Sequence, residues 1–200
     1  MTNNQTISAY NKYPDVYDDQ TKEFWDNFPR DDIAAFVLAV PGGKILDLGS
    51  GPGRDAVLLR NAGLDVACVD GSEEMVRRTK NLGFESRVAE FDFLEYPENS
   101  FAGVWAYTSL FHIPKEKMLI ILRRIHAWLK PGGCLFLGMF EGEFEGNSEI
   151  SYMPNAPRYI RLYSESELTG CVNRSGFRTS RLTRYQPNTK ILLNLLAIKN

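Results

Sequence analysis

The chain has 200 residues, 44% hydrophobic and 12% aromatic, a composition that suits one folded domain and excludes a disordered chain. Its 23 basic and 25 acidic residues leave a net charge of -2, which provides no electrostatic footprint for wrapping nucleic acid. The opening MTNNQTISAYNKYPD lacks the apolar centre of a signal peptide, no run reaches the ~18 apolar residues of a membrane span, and Cys68, Cys134 and Cys171 form no CxxC pair. A cytoplasmic protein with free, buried thiols is expected.

Residues 1–22 are polar and tyrosine-rich, and 23–40 carry apolar positions at helical spacing, broken by Pro29. Pro41-Gly42-Gly43 stops the helix. Lys44 to Leu48 then reads as a buried strand, Arg54 to Ala62 as a helix ending at Gly63, Leu64 to Val69 as a strand, and Glu73 to Leu82 as a helix ending at Gly83. Ser86 to Ala89 and Phe101 to Tyr107 supply two further strands. Lys115 to Leu129 is an amphipathic helix between Pro114 and Pro131-Gly132-Gly133, followed by a strand over Cys134 to Phe140. Residues 141–158, rich in Gly, Glu and Asn, are expected to be a mobile loop. Ser164 and Glu167 make a capping box for a helix reaching Ser175, and Phe177 to Tyr185 and Ile191 to Lys199 close the chain as strands joined without a helix.

Alternation of strand and helix predicts an α/β fold, doubly wound, with a mostly parallel sheet and helices on both faces. The closing pair of strands predicts an antiparallel pairing at the end of the sheet.

The chemistry starts at Asp47-Leu48-Gly49-Ser50-Gly51-Pro52-Gly53, where a strand enters a glycine turn and leaves as a helix. Glycine there lets a ligand approach the backbone. Asp70 ends the next strand, seventeen residues after Gly53, where a carboxylate can accept from both hydroxyls of a ribose. The spacing GxGxG, with Asp47 at the mouth of the turn, disfavours a pyrophosphate and suits an ammonium. A turn-capping role is the alternative for Asp47.

ILDLGSGPGR, VDGSEEMV, AEFDFLEYPENSFAGVWA and LKPGGCLFLGMF together resemble the successive motifs of class I S-adenosylmethionine-dependent methyltransferases of the small-molecule type, well over residues 42–140 and more loosely at the ends. The resemblance implies a seven-stranded sheet with one antiparallel strand. It implies that Gly49, Ser50, Gly51 and Gly53 lie beneath the methionine part of the cofactor, and that Asp70 and Gly71 hold the ribose. Met75 would pack near the adenine, with Asp92 and Phe93 flanking the base. It implies a single domain over 1–200: a helical lid at 1–40, a cofactor-binding core at 42–140, and a substrate-side loop with the last helix and strands at 141–200. In YNKYPDVYDDQTKEFW, Tyr17 matches the lid tyrosine that covers the cofactor, with Tyr10 as runner-up. Where the family carries an acid near position 102, this chain has Ala102.

The strand end Ala106 to Pro114 stands where the family places the acceptor. His112 is a candidate base or a packing histidine, and Tyr107 a candidate face for a cationic sulfonium or a buried aromatic. The stretch has no NPPY-type tetrapeptide and no Pro-Cys pair, which points away from DNA amino-methylation and cytosine C5 chemistry. A small-molecule acceptor is the expectation, with a protein or RNA acceptor, or a module that binds the cofactor without turnover, as rivals. Arg158 and Arg161 are either solvated or available to an anionic substrate group.

Overall fold

The computed structural model describes residues 2–27, 30–187 and 189–200, and within them the side chains of all but Thr2, Asn3, Trp25 and Arg30. Met1, Phe28 and the Pro29 break, all within the expected lid, and Asn188 lie outside the described residues. Parallel strands β1 (Lys44–Leu48), β2 (Asp65–Asp70), β3 (Glu85–Val88), β4 (Phe101–Tyr107) and β5 (Leu129–Phe140) alternate with helices α4 (Arg54–Asn61), α5 (Glu73–Asn81) and α6 (Lys115–Trp128). Three helices precede them: α1 (Thr2–Lys12), α2 (Pro14–Asp26) and α3 (Arg30–Ala39). Pro14 opens α2, the first-turn position where its missing N–H costs nothing.

The seven-stranded sheet runs β3-β2-β1-β4-β5-β9-β8, where β8 is Phe177–Tyr185 and β9 is Leu192–Lys199. Strand β9 is antiparallel to both neighbours, so the single reversed strand lies inside the sheet and β8 forms the edge. Helix α7 (Glu165–Arg174) carries the expected capping box, with Ser164 Oγ accepting from Glu167 N and Glu167 Oε2 accepting from Ser164 N.

Period-2 alternation along the strands sends side chains to two cores, one on each face. Leu46, Val104 and Leu135 meet α6 and α7, whereas Ile45, Trp105 and Phe136 meet α3 and α4. Trp105 and Phe136 stack at 4.2 Å between ring centroids, and Trp105 Nε1 donates to Asp55 Oδ2 at 2.9 Å.

Residues 141–158 are not the expected loop. Strands β6 (Glu145–Ile150) and β7 (Met153–Arg161) pair as an antiparallel hairpin apart from the main sheet. Its β7 strand sends Met153 and Ala156 against Ala9 of α1. Glu145, Asn147 and Glu149 of β6 alternate outward along an exposed strand, which hides it from a reading by composition. Helix α1 therefore lies across the carboxyl ends of the sheet, wedged between α5 and β7.

Candidate functional site

The strand order reverses between β1 and β4, and the crevice at their carboxyl ends is where an open α/β sheet takes its ligand. A cleft with about 570 Å³ of empty volume opens there. Its floor comes from the turn after β1 (Gly49, Gly51) and the end of β2 (Asp70, Gly71), and its side from Met75 of α5. Ala89, Glu90 and Phe91 form a second wall, Thr108, Ser109 and His112 a third, and Thr6, Ile7, Tyr10 and Tyr17 the roof.

The turn is built by backbone. Gly49 N and Ser50 N both donate to Val69 O, at 2.8 and 3.0 Å, which pins β1 against β2. Gly49 has φ +76, and a Cβ there would collide with Ser109, whose Oγ donates to Leu48 O at 2.6 Å. Gly51 differs: at φ +51, a Cβ would meet no protein atom within 4 Å, so its open side belongs to the cleft. Asp70 ties the floor together, with Oδ2 accepting from Gly51 N at 2.9 Å and Oδ1 from Ser72 N at 2.8 Å. Burial raises its pKa above the ordinary carboxylate value, against those backbone donors.

Asp47 is not at the mouth of the turn. It is 1% exposed behind it, and its Oδ2 is a buried acceptor without a partner. Burial, then the charges of Asp55 and Asp70, push its pKa well up. Asp47 and Asp55 are thus buried behind a cleft end that Asp70 and Glu90 line, a carboxylate-rich setting that favours a cation over a polyphosphate.

At the other end, His112 is buried and held by both ring nitrogens. Nδ1 lies 2.6 Å from Tyr159 O and Nε2 lies 2.9 Å from Tyr10 Oη. A carbonyl only accepts, so Nδ1 carries the proton, and Nε2 accepts from the tyrosine hydroxyl. Arg158 Nη1 donates to that same hydroxyl at 2.9 Å. Burial, reinforced by the Arg158 charge, lowers the His112 pKa to about 3. Between the two ends stands Thr108, whose φ of +47 is a strained setting for a β-branched residue.

A family profile described as a methyltransferase domain matches residues 17–182. The chain belongs to the methyltransferase-domain family. This methyltransferase domain is 29% identical over 163 residues to the 27-O-demethylrifamycin SV methyltransferase of Amycolatopsis mediterranei, covering 70% of this chain and 59% of that one. It is 32% identical over 115 residues to a ubiquinone biosynthesis O-methyltransferase of Xanthomonas campestris pv. campestris, covering 54% and 47%. The chain thus spans about half the length of these curated relatives. Among solved structures, the DhpI–SAH complex superposes with a TM-score of 0.77 at 20% identity, covering 99% of this chain and 97% of that one, a likeness of fold.

The methyltransferase domain gathers Tyr17, Gly49, Gly51, Asp70, Gly71, Met75 and His112 in one cleft. Other expected residues fall outside it. Gly53 faces Thr79 of α5 and Leu82 just after it, and Ser50 is buried in the turn beside the Cys68 thiol. Tyr107 turns to the α3/α4 face, stacked between Trp105 and Phe24, because the strand alternation gives that phase to odd positions. Asp92 bonds Lys117 Nζ at 2.5 Å, and Phe93 is 75% exposed, so Glu90 and Phe91 line the wall instead. Arg161 is neither solvated nor open to a ligand: Glu145 and Glu167 hold it at 3.4 and 2.9 Å, tying β7 to α7. Sequence reasoning placed the stretch that holds Thr108 and Ser109 without singling out either, and passed over the wall at Glu90. The Thr-Ser pair directly after a buried strand was the available signal.

Among the described residues, no helix is long and apolar enough to cross a membrane.

Proposed function

We propose that the protein transfers a methyl group from S-adenosylmethionine to a small-molecule acceptor. The observation that carries this is the cradle of Gly51 beside Asp70: an open backbone face next to a carboxylate that lines the cleft. The residues fit this donor on two counts. Gly51 leaves room for it, and the carboxylates of Asp70 and Glu90 in the lining favour a cation over the pyrophosphate of a dinucleotide. Asp70 would hold the ribose, Met75 would pack the base, and Phe91 would close its side.

Bound there, the donor supplies a methyl group on a cationic sulfur, already activated for in-line displacement. The chain's own task is alignment and exclusion of water. Tyr10 and Tyr17, with ring centroids 5.0 Å apart in edge-to-face contact, roof the cleft. His112 is neutral throughout the physiological range and keeps its proton on Nδ1, so in this closed arrangement it positions Tyr10 and stores no extra proton. Three free, buried cysteines support a place in a reducing compartment, the cytoplasm.

Titration calorimetry with S-adenosylhomocysteine and with NAD, followed by a labelled-methyl transfer screen, tests the reading. Micromolar binding of S-adenosylhomocysteine with none of NAD is expected. Equal or tighter binding of NAD overturns it.

A further inference from the structure

Among the described residues two arginines are buried, three residues apart on β7, and their surroundings differ. Arg161, 4% exposed, is compensated by Glu145 and Glu167. Arg158, 8% exposed, forms no ion pair among the described residues. Among the described residues its guanidinium donates from Nη1 to Tyr10 Oη, and its enclosed Nε meets no acceptor. The groups acting on its charge are tyrosines, Tyr10, Tyr17 and Tyr152, and the Tyr10 ring lies 5.6 Å from the guanidinium carbon. Tyrosines with pKa values raised by burial stay neutral and offer no counter-charge.

An uncompensated buried cation costs several kcal/mol by desolvation, and a fold carries one where a ligand supplies the missing charge. Arg158 stands one hydrogen bond from Tyr10 and two from His112, both of which line the cleft. Asp70 and Glu90 line the opposite end of the same cleft, and Asp47, buried behind the turn, feels the charges of Asp55 and Asp70. The cleft is therefore polarised, acidic where the cationic donor is proposed to sit and cationic behind the tyrosine roof. The guanidinium's planar, forked donors match the oxygens of an oxyacid.

We infer that the acceptor is an organic oxyanion, a carboxylate or a phosphonate-type acid, docked on Arg158 beside Tyr10 and His112. This rests on the methyltransferase reading, which assigns the other end of the cleft to the donor. An anionic acceptor also suits a site whose histidine holds its proton on Nδ1 and whose Nε2 is already engaged, because an oxyanion arrives without a proton to remove.

The test uses the full chain, with and without S-adenosylhomocysteine, at fixed ionic strength. Benzoate, phenylphosphonate and the uncharged benzamide are added, and the thermal midpoint is followed. At least one of the two anions is expected to raise the midpoint above benzamide, and the pair distinguishes a carboxylate site from a phosphonate site. Arg158→Met is expected to match or exceed the wild-type unliganded midpoint and to keep the S-adenosylhomocysteine affinity while losing the anion-dependent rise, with anion affinity at least tenfold lower. Arg158→Lys keeps a charge and is expected to retain part of the rise, so it carries the test if the methionine variant does not fold. No anion-over-benzamide difference in the wild type, a rise that survives in Arg158→Met, or a folded lysine variant with none overturns the inference. Failure of S-adenosylhomocysteine to bind overturns the donor reading alone, since the anion arms are also run without it.

Discussion

Tyr10 Oη lies 2.9 Å from His112 Nε2, joining a helix at the start of the chain to the turn after β4, 102 residues later. Arg158 Nη1 donates to the same oxygen, so the hydroxyl spends its proton on the histidine and its lone pair on the arginine. Tyr10→Phe leaves both buried partners unmatched. It is expected to lower unfolding stability by about 1–3 kcal/mol, read from urea titration at neutral pH. An unchanged midpoint means that this chain of bonds does not persist in solution.

His112 makes stability depend on pH in a stated direction. Its native pKa, near 3, lies below the ordinary 6.5, so between those values the unfolded chain takes up a proton that the native one refuses. The contribution is full above 6.5 and falls as the pH drops toward 3, at roughly 1.4 kcal/mol per pH unit. Buried acids such as Asp47, with raised pKa values, act in the opposite sense. The comparison is therefore wild type against His112→Gln in urea at pH 7 and pH 4.5. The wild type is expected to lose more stability than the variant; parallel losses rule the histidine out as the cause.

The parts of the site that sequence displays are those where backbone geometry demands a residue type. Gly49 at φ +76 and Gly51 at φ +51 need glycine, and Asp70 at the end of β2 needs its carboxylate to bind Gly51 N. Those residues were legible, as was the order of strand and helix between punctuating glycines and prolines. What failed depended on tertiary phase. Tyr107 and Thr108 are neighbours, and one residue of register decides which core or cleft each one meets. Asp92 was drawn away by Lys117, 25 residues distant. Arg158 is a candidate for an anionic group on sequence alone, but its burial was hidden because its strand pairs only with the weakly patterned β6, whose side chains alternate between exposed and half-buried.

Asp70→Asn replaces a carboxylate that serves two backbone amides and lines the cleft. The variant is expected to fold and to bind S-adenosylhomocysteine about 1–3 kcal/mol more weakly, by calorimetry. In the wild type, the same affinity should fall as the pH is lowered through the Asp70 pKa, which burial holds above the ordinary 3.8. Binding equal to wild type in a folded Asn variant removes Asp70 from the ribose role.

The two glycines of the turn separate folding from binding. Gly49→Ala puts a methyl group into Ser109 at positive φ, and a loss of about 2–5 kcal/mol of stability is expected from crowding plus backbone strain. The Cβ of Gly51→Val meets no protein atom within 4 Å and the change costs about 1–2 kcal/mol of backbone strain, yet the side chain fills the open face of the cleft. It should therefore fold and fail to bind S-adenosylhomocysteine. Calorimetry on the folded Val variant decides the point, and normal binding places the ligand elsewhere.

Helix α1 shuts the cleft with few apolar contacts and many polar ones. Thr6 and Ala9 are buried, but the attachments are hydrogen bonds: Tyr159 N to Thr6 Oγ1 at 3.0 Å, Ser72 Oγ to Asn11 Oδ1 at 2.6 Å, and Tyr13 Oη to Pro154 O at 2.9 Å. Ile7 covers Gly71 so closely that a Cβ there would lie 2.8 Å from it. A ligand held on Asp70 and Gly71 must therefore enter while α1 is lifted, and a helix with so small a core can lift at low cost. Hydrogen exchange in residues 2–12 is expected to slow when S-adenosylhomocysteine is added, while exchange in β1 stays constant. Deleting residues 1–12 is expected to abolish methyl transfer and lower the thermal midpoint by only a few degrees, because both sheet cores lie outside α1. If exchange in 2–12 ignores the ligand and the shortened protein still turns over, α1 is packing and not a lid.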